Sequence, residues 1–211
     1  VKAFWDNRYG EEDYAYGESP NLYFMEKIAE LKPGKILLPA EGEGRNAVYA
    51  AKKGWKVTCF DISENGKKKA EQLAEKNRVK IEYHVGSVEE LVFKDHSYDA
   101  IGLIFAHFPI GARQIYHKKF NDYLKPQGHL ILEAFSKKHH QFQKSNPKAG
   151  GPREESMLYD TRMLISDFPD YDLLELYETD VALNEGLYHV GQASVVRFFG
   201  KKDLCKIDRA K

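Results

Sequence analysis

The run Ala40-Glu41-Gly42-Glu43-Gly44-Arg45-Asn46-Ala47 holds the residues best spaced for chemistry. Two glycines so placed let a chain turn sharply and let a ligand come close to the backbone, and the free amides of a following helix point into that approach. Asp61 stands nineteen residues beyond Gly42, where an acid after the next strand accepts two hydrogen bonds from ribose hydroxyls. The competing reading of Asp61 is a cap for the Ser63-Glu64 turn. Jointly the two features favour an adenosine-containing ligand. Glu41 and Glu43 make the loop acidic, which opposes a diphosphate but suits the ammonium and sulfonium of S-adenosylmethionine, and Arg45 is available to a carboxylate. Ala47 satisfies the last position of GxGxxG/A, so NAD stays open on that test, while the absence of GxxxxGK[ST] argues against a P-loop enzyme.

Two further segments are candidates. Gly86-Ser87-Val88 can place Ser87 and the Val88 amide against an adenine edge, or Ser87 can cap a short turn. Phe105-Ala106-His107-Phe108-Pro109 leaves a strand where ligands converge in open α/β sheets, with His107 a candidate to face the reacting atoms. His84, His96, His117 and His129 read as surface or packing residues, and His139-His140 as a pair on a flexible loop. HExxH, clustered Cys/His and GxSxG are all missing, so neither a metal nor a hydrolase is expected.

The elements that must position these groups alternate. Helix 20–31, opened by Ser19 and Pro20, is followed by strand 36–40, the glycine loop, helix 45–53, strand 55–60 closed by Asp61, and helix 64–76. Strand 80–85, strand 98–106, helix 110–124 and strand 129–135 continue the series. The strands are nearly continuous in apolar character, as a parallel sheet covered on both faces requires. Residues 136–155 are expected to be a loop and a mobile cover, 156–168 a helix, and 171–183 and 187–199 two strands joined too tightly to be anything but antiparallel. The first 20 residues show no clean period. The division expected is 1–34 as an amino-terminal lid and helix, 35–203 as an α/β core, and 204–211 as a tail.

The whole chain has 211 residues, 42% of them hydrophobic, with 32 Lys+Arg against 32 Asp+Glu. Zero formal charge removes the sequence-wide argument for nucleic acid as a partner, and Lys67-Lys68-Lys69 reads as a solvated helix face. No apolar run approaches the ~18 residues of a membrane span, and the amino end lacks the apolar region of a signal peptide. Cys59 and Cys205 form no motif, Cys59 reading as a core hydrophobe, so a reducing cytoplasm is the expected location.

FWDNRYG, ILLPAEGEGRNAVYAAKKGWKVTCFDIS, HVGSVEEL, YDAIGLIFAHFP and LKPQGHLILEAF together resemble the class I S-adenosylmethionine-dependent methyltransferases, and within them the small tellurite-resistance and thiopurine type. The resemblance implies a three-layer Rossmann-like sandwich with seven strands in the order 3-2-1-4-5-7-6, strand seven antiparallel. It implies S-adenosyl-L-methionine as cofactor, held by Gly42, Gly44, Asp61 with Ile62, Ser87, Val88 and Phe105, with Arg45 at the carboxylate. The acid frequent within the family's first strand falls here on Leu38, so Glu41 is the candidate to inherit the amino-group contact. The reaction implied is in-line methyl transfer to a small molecule, with sulfur, selenium or tellurium nucleophiles among the acceptors. Trp5, Tyr9, Tyr14 and Tyr16 then fit as an aromatic cover, because a sulfonium is drawn to ring faces, though the segment could equally pack on the core. A hydroxyl acceptor would need a base, for which His107 and Tyr14 are the candidates. Rivals are an NAD-linked oxidoreductase and a non-catalytic protein that binds the methyl donor. Either a monomer or a homodimer is compatible with the sequence.

Overall fold

The computed structural model describes residues 1–203; the expected tail 204–211, with Cys205, lies outside the described residues. Seven strands form one sheet in the order β3-β2-β1-β4-β5-β7-β6. They are β1 (Lys35–Pro39), β2 (Lys56–Asp61), β3 (Glu82–Val85), β4 (Tyr98–Ile104), β5 (Leu124–Phe135), β6 (Tyr171–Glu185) and β7 (His189–Lys202). The first five run parallel, and β7 is antiparallel to both β5 and β6. This is the expected topology, and the three-residue link between β6 and β7 forces the reversal at that end.

Both faces of the central strands are covered, so adjacent residues serve different layers. Ile36, Leu38, Val57 and Cys59 pack under α2 (Leu22–Ala29), α3 (Arg45–Lys52) and α4 (Glu64–Lys76). Leu37, Phe60, Ile101 and Leu130 face α5 (Ile110–Tyr123) and α7 (Thr161–Asp167). Period-two burial on each face yields a sequence that is apolar throughout. Cys59 is fully buried, as its place in the strand suggested. None of the described helices is long and apolar enough to cross a membrane.

Four local expectations need correction. The first residues contain a helix, α1 (Lys2–Tyr9), whose order comes from a docking contact and not from its own pattern: the Asp6 carboxylate accepts hydrogen bonds from Ser63 Oγ and the Glu64 amide at the start of α4. Helix α2 is capped by Asn21, whose side chain accepts from the Phe24 amide, in place of Ser19. Segment 136–155 carries α6 (His139–Ser145) and a short 3-10 turn, with His139 fully buried and stacked 4.1 Å from Phe135. The His139-His140 pair is thus on a packed helix. The helix expected over 156–168 begins only at Thr161, because Tyr159 bridges to Ser136 in extended form and Asp160 caps the next turn by accepting from the Met163 amide.

Candidate functional site

The glycine bend lies between β1 and α3, beside the point where the strand order reverses from β1 to β4, the place where open α/β sheets bind ligands. Gly42 and Gly44 have φ of +61° and +84°, which other residues adopt only with strain. At Gly44 the requirement is packing, since a Cβ there would stand 2.5 Å from that of Ala70 on α4. At Gly42 a Cβ would meet the Tyr9 hydroxyl at 2.6 Å. Tyr9 is buried and stacked on Trp5, so α1 lays an aromatic ring directly over the bend.

Asp61 closes β2 with its carboxylate turned to the bend. Oδ2 accepts from the Gly42 amide at 3.1 Å and Oδ1 from the Ser63 amide at 3.1 Å. Burial raises its pKa to about 6 against the amides of Ser63, Gly42 and Ile62. No cation is paired with it among the described residues. A carboxylate has acceptor capacity for about four bonds, so a vicinal diol can still donate to it and would stabilise the ionised form. The expected turn contact to Ser63 is present as well, so the two readings of Asp61 are compatible. A ribose fits the acceptor chemistry of Asp61 and the close backbone approach at Gly42, and reaching them requires the Tyr9 ring to leave the bend.

The charged side chains of the loop are used internally, which corrects three expectations. Glu41 Oε1 accepts from the Asn46 and Ala47 amides at 2.8 and 2.7 Å, capping α3 from within, and burial lifts its pKa to about 7. Glu43 accepts from the Ala15 amide and from Lys69 Nζ at 2.8 and 2.9 Å, so the cover is bolted to the loop and Lys69 is not a purely solvated residue. Arg45 donates to Glu185 Oε2 at 2.8 Å and reaches the carbonyls of Tyr16 and Ser19. The acidic-loop argument against a diphosphate therefore loses its carriers.

At the exit of β3, the Ser87 amide donates to Glu90 Oε2 at 2.8 Å and the Glu90 amide to Ser87 Oγ at 3.3 Å, the reciprocal arrangement that closes a helical turn. The capping alternative for Ser87 is the one seen, and the Val88 side chain belongs to the core. Ile62 is half-buried beside Asp61.

Beyond β4, Phe105 sits at φ +52°, a strained conformation for a bulky residue and one that marks functional turns. Its ring packs on Phe135 and His189, both at 4.6 Å. His107 is held between two backbone groups: Nδ1 is 2.7 Å from the Met157 carbonyl and Nε2 accepts from the Phe135 amide at 3.1 Å. Burial drops its pKa to about 4. With both nitrogens committed, the ring has no lone pair to offer, which corrects its expected place as a base. Tyr14 donates to the Lys69 carbonyl at 3.1 Å, and burial raises its pKa, so it too is tied away from the β4 exit. Tyr16 does reach that region, its ring 4.4 Å from His189 and its hydroxyl accepting from Arg8.

Residues of the β6–β7 hairpin were missed by sequence reasoning. Glu185 and His189 form an ion-pair-like contact of 3.2 Å, and Asn21 joins Glu185 to Glu133. Burial opposes the Glu185 charge, but hydrogen bonding from His189 and the Arg45 charge hold its pKa down to about 2. The only local sign was an acid and a histidine flanking the tight link Gly186-Leu187-Tyr188.

Residues 36–128 match the family model described as "Methyltransferase domain". Over 140 residues, 63% of this chain, the sequence is 29% identical to the ubiquinone biosynthesis O-methyltransferase of Rickettsia akari (strain Hartford); the match spans about half of that relative, 55%. Among solved structures, the protein described under "Conversion of a Disulfide Bond into a Thioacetal Group during Echinomycin Biosynthesis" superposes with a TM-score of 0.77 at 14% identity, covering 99% of this chain and 96% of that one. TehB from Haemophilus influenzae superposes with a TM-score of 0.70 at 16% identity, covering 96% and 67%. At these identities the structural likeness is one of fold.

Proposed function

We propose that this chain is a class I S-adenosylmethionine-dependent methyltransferase that transfers the methyl group of S-adenosyl-L-methionine to a small molecule bearing a soft chalcogen nucleophile. The observation that carries the reading is the pairing, at adjacent strand ends, of the left-handed bend at Gly42 with the cation-free carboxylate of Asp61. Asp61 would hold the ribose, the backbone at Gly42 would approach the donor, and Phe105 with Tyr16 would face its methionine end. When bound, the donor supplies an electrophilic methyl on sulfonium. The chain's share is collinear placement and exclusion of water, worth several kcal/mol without an activated side chain.

The aromatic cover is part of this reading. Trp5 and Tyr9 occupy the approach to the bend, Tyr16 extends the cover towards the exit of β4, and ring faces attract a sulfonium. Donor entry displaces Tyr9 from Gly42, and the cover closes again over the bound donor. The ubiquinone biosynthesis O-methyltransferase named above supports a small-molecule acceptor by likeness, and the zero net charge of the chain supports it independently.

The test is calorimetric titration with S-adenosylhomocysteine, thermal-shift comparison with NAD, and labelled methyl transfer to thiols, selenols and inorganic tellurium acceptors. Binding of S-adenosylhomocysteine with transfer to one of these acceptors is the expected result. Stabilisation by NAD alone would overturn the assignment.

A further inference from the structure

Three imidazoles surround Phe135 just beyond the ends of β4 and β5: His107, His139 and His189, with ring centroids 5.8, 4.1 and 5.1 Å from it. Hydrogen bonding separates them. His107 has both nitrogens on backbone groups. So has His139, whose Nδ1 accepts from the Ser194 amide at 3.3 Å while Nε2 lies 3.2 Å from the Gly150 carbonyl. Such rings are structural props.

His189 differs. Its Nδ1 is 3.2 Å from Glu185 Oε2, and among the described residues Nε2 has no hydrogen-bond partner. The carboxylate fixes the proton on Nδ1 and leaves the Nε2 lone pair uncommitted, the relation of base to orienting acid found in general-base pairs. Glu185 cannot swing away, since Arg45 binds it at 2.8 Å and Asn21 at 3.1 Å. A Cβ at Gly150 would stand 3.1 Å from Nε2, so the room beside that nitrogen depends on a residue without a side chain. The ring touches Phe105 and Tyr16 and is tied through Arg45 to the residue following the glycine bend, which places it on the methyl side of the proposed donor site.

Resting on the proposed methyl transfer, we infer that His189 is the proton acceptor for a protic acceptor, a thiol or selenol that arrives un-ionised, with Glu185 as its positioning residue. As the chalcogen lone pair forms the bond to the methyl carbon, the carbon–sulfonium bond breaks with its electron pair passing to the donor sulfur, and the S–H or Se–H proton moves to Nε2. The products are the methylated chalcogen, neutral S-adenosylhomocysteine and an imidazolium that later returns its proton to solvent. Charge is conserved, one positive before and after. His189 is only 4% exposed, and Tyr16 covers it, so the acceptor reaches Nε2 while the cover is lifted.

The charged and titratable groups facing His189 are Glu185 from β6, Arg45 from α3, Arg8 from α1, and His107 and His139. The test compares 4-nitrothiophenol, ionised at neutral pH, with benzyl mercaptan, which is not. His189→Gln is expected to lower kcat/KM for benzyl mercaptan by about 100-fold or more and for 4-nitrothiophenol by less than about 3-fold, with S-adenosylhomocysteine affinity unchanged. Glu185→Gln, which keeps shape and provides the second readout where His189→Gln melts early, is expected to give a smaller selective loss and to move the acid limb of the rate profile to lower pH. Equal losses on both thiols, no loss, or no transfer to either thiol by the wild-type protein would each overturn the inference. Failure of the wild-type protein to bind S-adenosylhomocysteine would instead overturn the methyltransferase reading itself.

Discussion

Glu41 is a carboxylate 9% exposed, bonded to two helix amides and, among the described residues, carrying no cation in direct contact. Burial raises its pKa from 4.5 to about 7 in the fold. Between those values the folded chain holds a proton that the unfolded chain has released, so stability is full below about pH 4.5 and falls as pH rises to about 7. A shift of roughly 2.5 units at 1.36 kcal/mol each amounts to about 3 kcal/mol, which for a chain of this size moves Tm by on the order of 10 °C. Glu41→Gln keeps an oxygen for the Asn46 and Ala47 amides and removes the titration. Urea unfolding of both proteins across pH 5 to 8 is the assay. The two should be nearly equal at pH 5, with the Gln variant ahead by about 3 kcal/mol at pH 8. Asp61, also raised, slopes both curves alike and cancels in the difference. Curves that stay parallel would refute the view of Glu41 as a buried helix cap.

Asp61→Ala should weaken S-adenosylhomocysteine binding by about 1.5–3 kcal/mol through loss of charge-assisted hydrogen bonds; unchanged calorimetric affinity in a folded variant would remove Asp61 from the ribose. Gly42→Ala should destabilise by about 1–3 kcal/mol from its φ of +61° and the approach of Tyr9, and in a double-mutant cycle with Tyr9→Ala a coupling above about 0.5 kcal/mol is expected; strict additivity would place Tyr9 elsewhere. His107 has its pKa lowered to about 4, so it costs stability as pH falls from about 6.5 to 4; His107→Phe should flatten that acid limb by about 3 kcal/mol, which denaturation at pH 4.5 and 7 measures. Asp6→Ala should speed amide exchange along α1 while leaving the sheet protected, because the Ser63 and Glu64 bonds dock that helix; unchanged exchange would show that another contact holds it.

The parallel core was legible because each of its strands is buried twice and each turn carries its own chemistry. Gly42, Gly44 and Asp61 announce a bend and an acid whatever the rest of the chain does. Side-chain direction around the bend was not legible. Glu41, Glu43 and Arg45 look like ligands for a charged molecule when read along the chain, yet their partners are the α3 amides, Lys69 and Glu185, the last of these 140 residues away. His107 was misread for the same reason. Its position after β4 is where a reacting residue belongs, and only the fold reveals Met157 and Phe135 on its two nitrogens. Helix α1 has little pattern of its own, so its existence depends on the start of α4.

These internal partners also bear on how the proposed site opens. The cover is joined to the hairpin by the Leu187 amide on the Ala15 carbonyl at 2.9 Å, by Arg8 over the Tyr188 ring at 4.1 Å, and by Tyr16 on His189. It is joined to the core by Glu43 at Ala15 and by Asp6 at α4. Glu43 is buried and Glu185 largely so, and both are costly to strip of partners, so the contacts at Ala15 and Arg45 are the fixed points. Of the contacts of α1, those made by the half-buried Asp6 and Arg8 are weaker, and the buried Tyr9 ring is the part that must come out. Opening by the least costly path therefore swings residues 1–10 away from Gly42 first and keeps Ala15 against the hairpin, and access to His189 needs a further turn of the Tyr16 side chain off its ring. On that path the bend is uncovered first, and His189 stays oriented by Glu185 throughout.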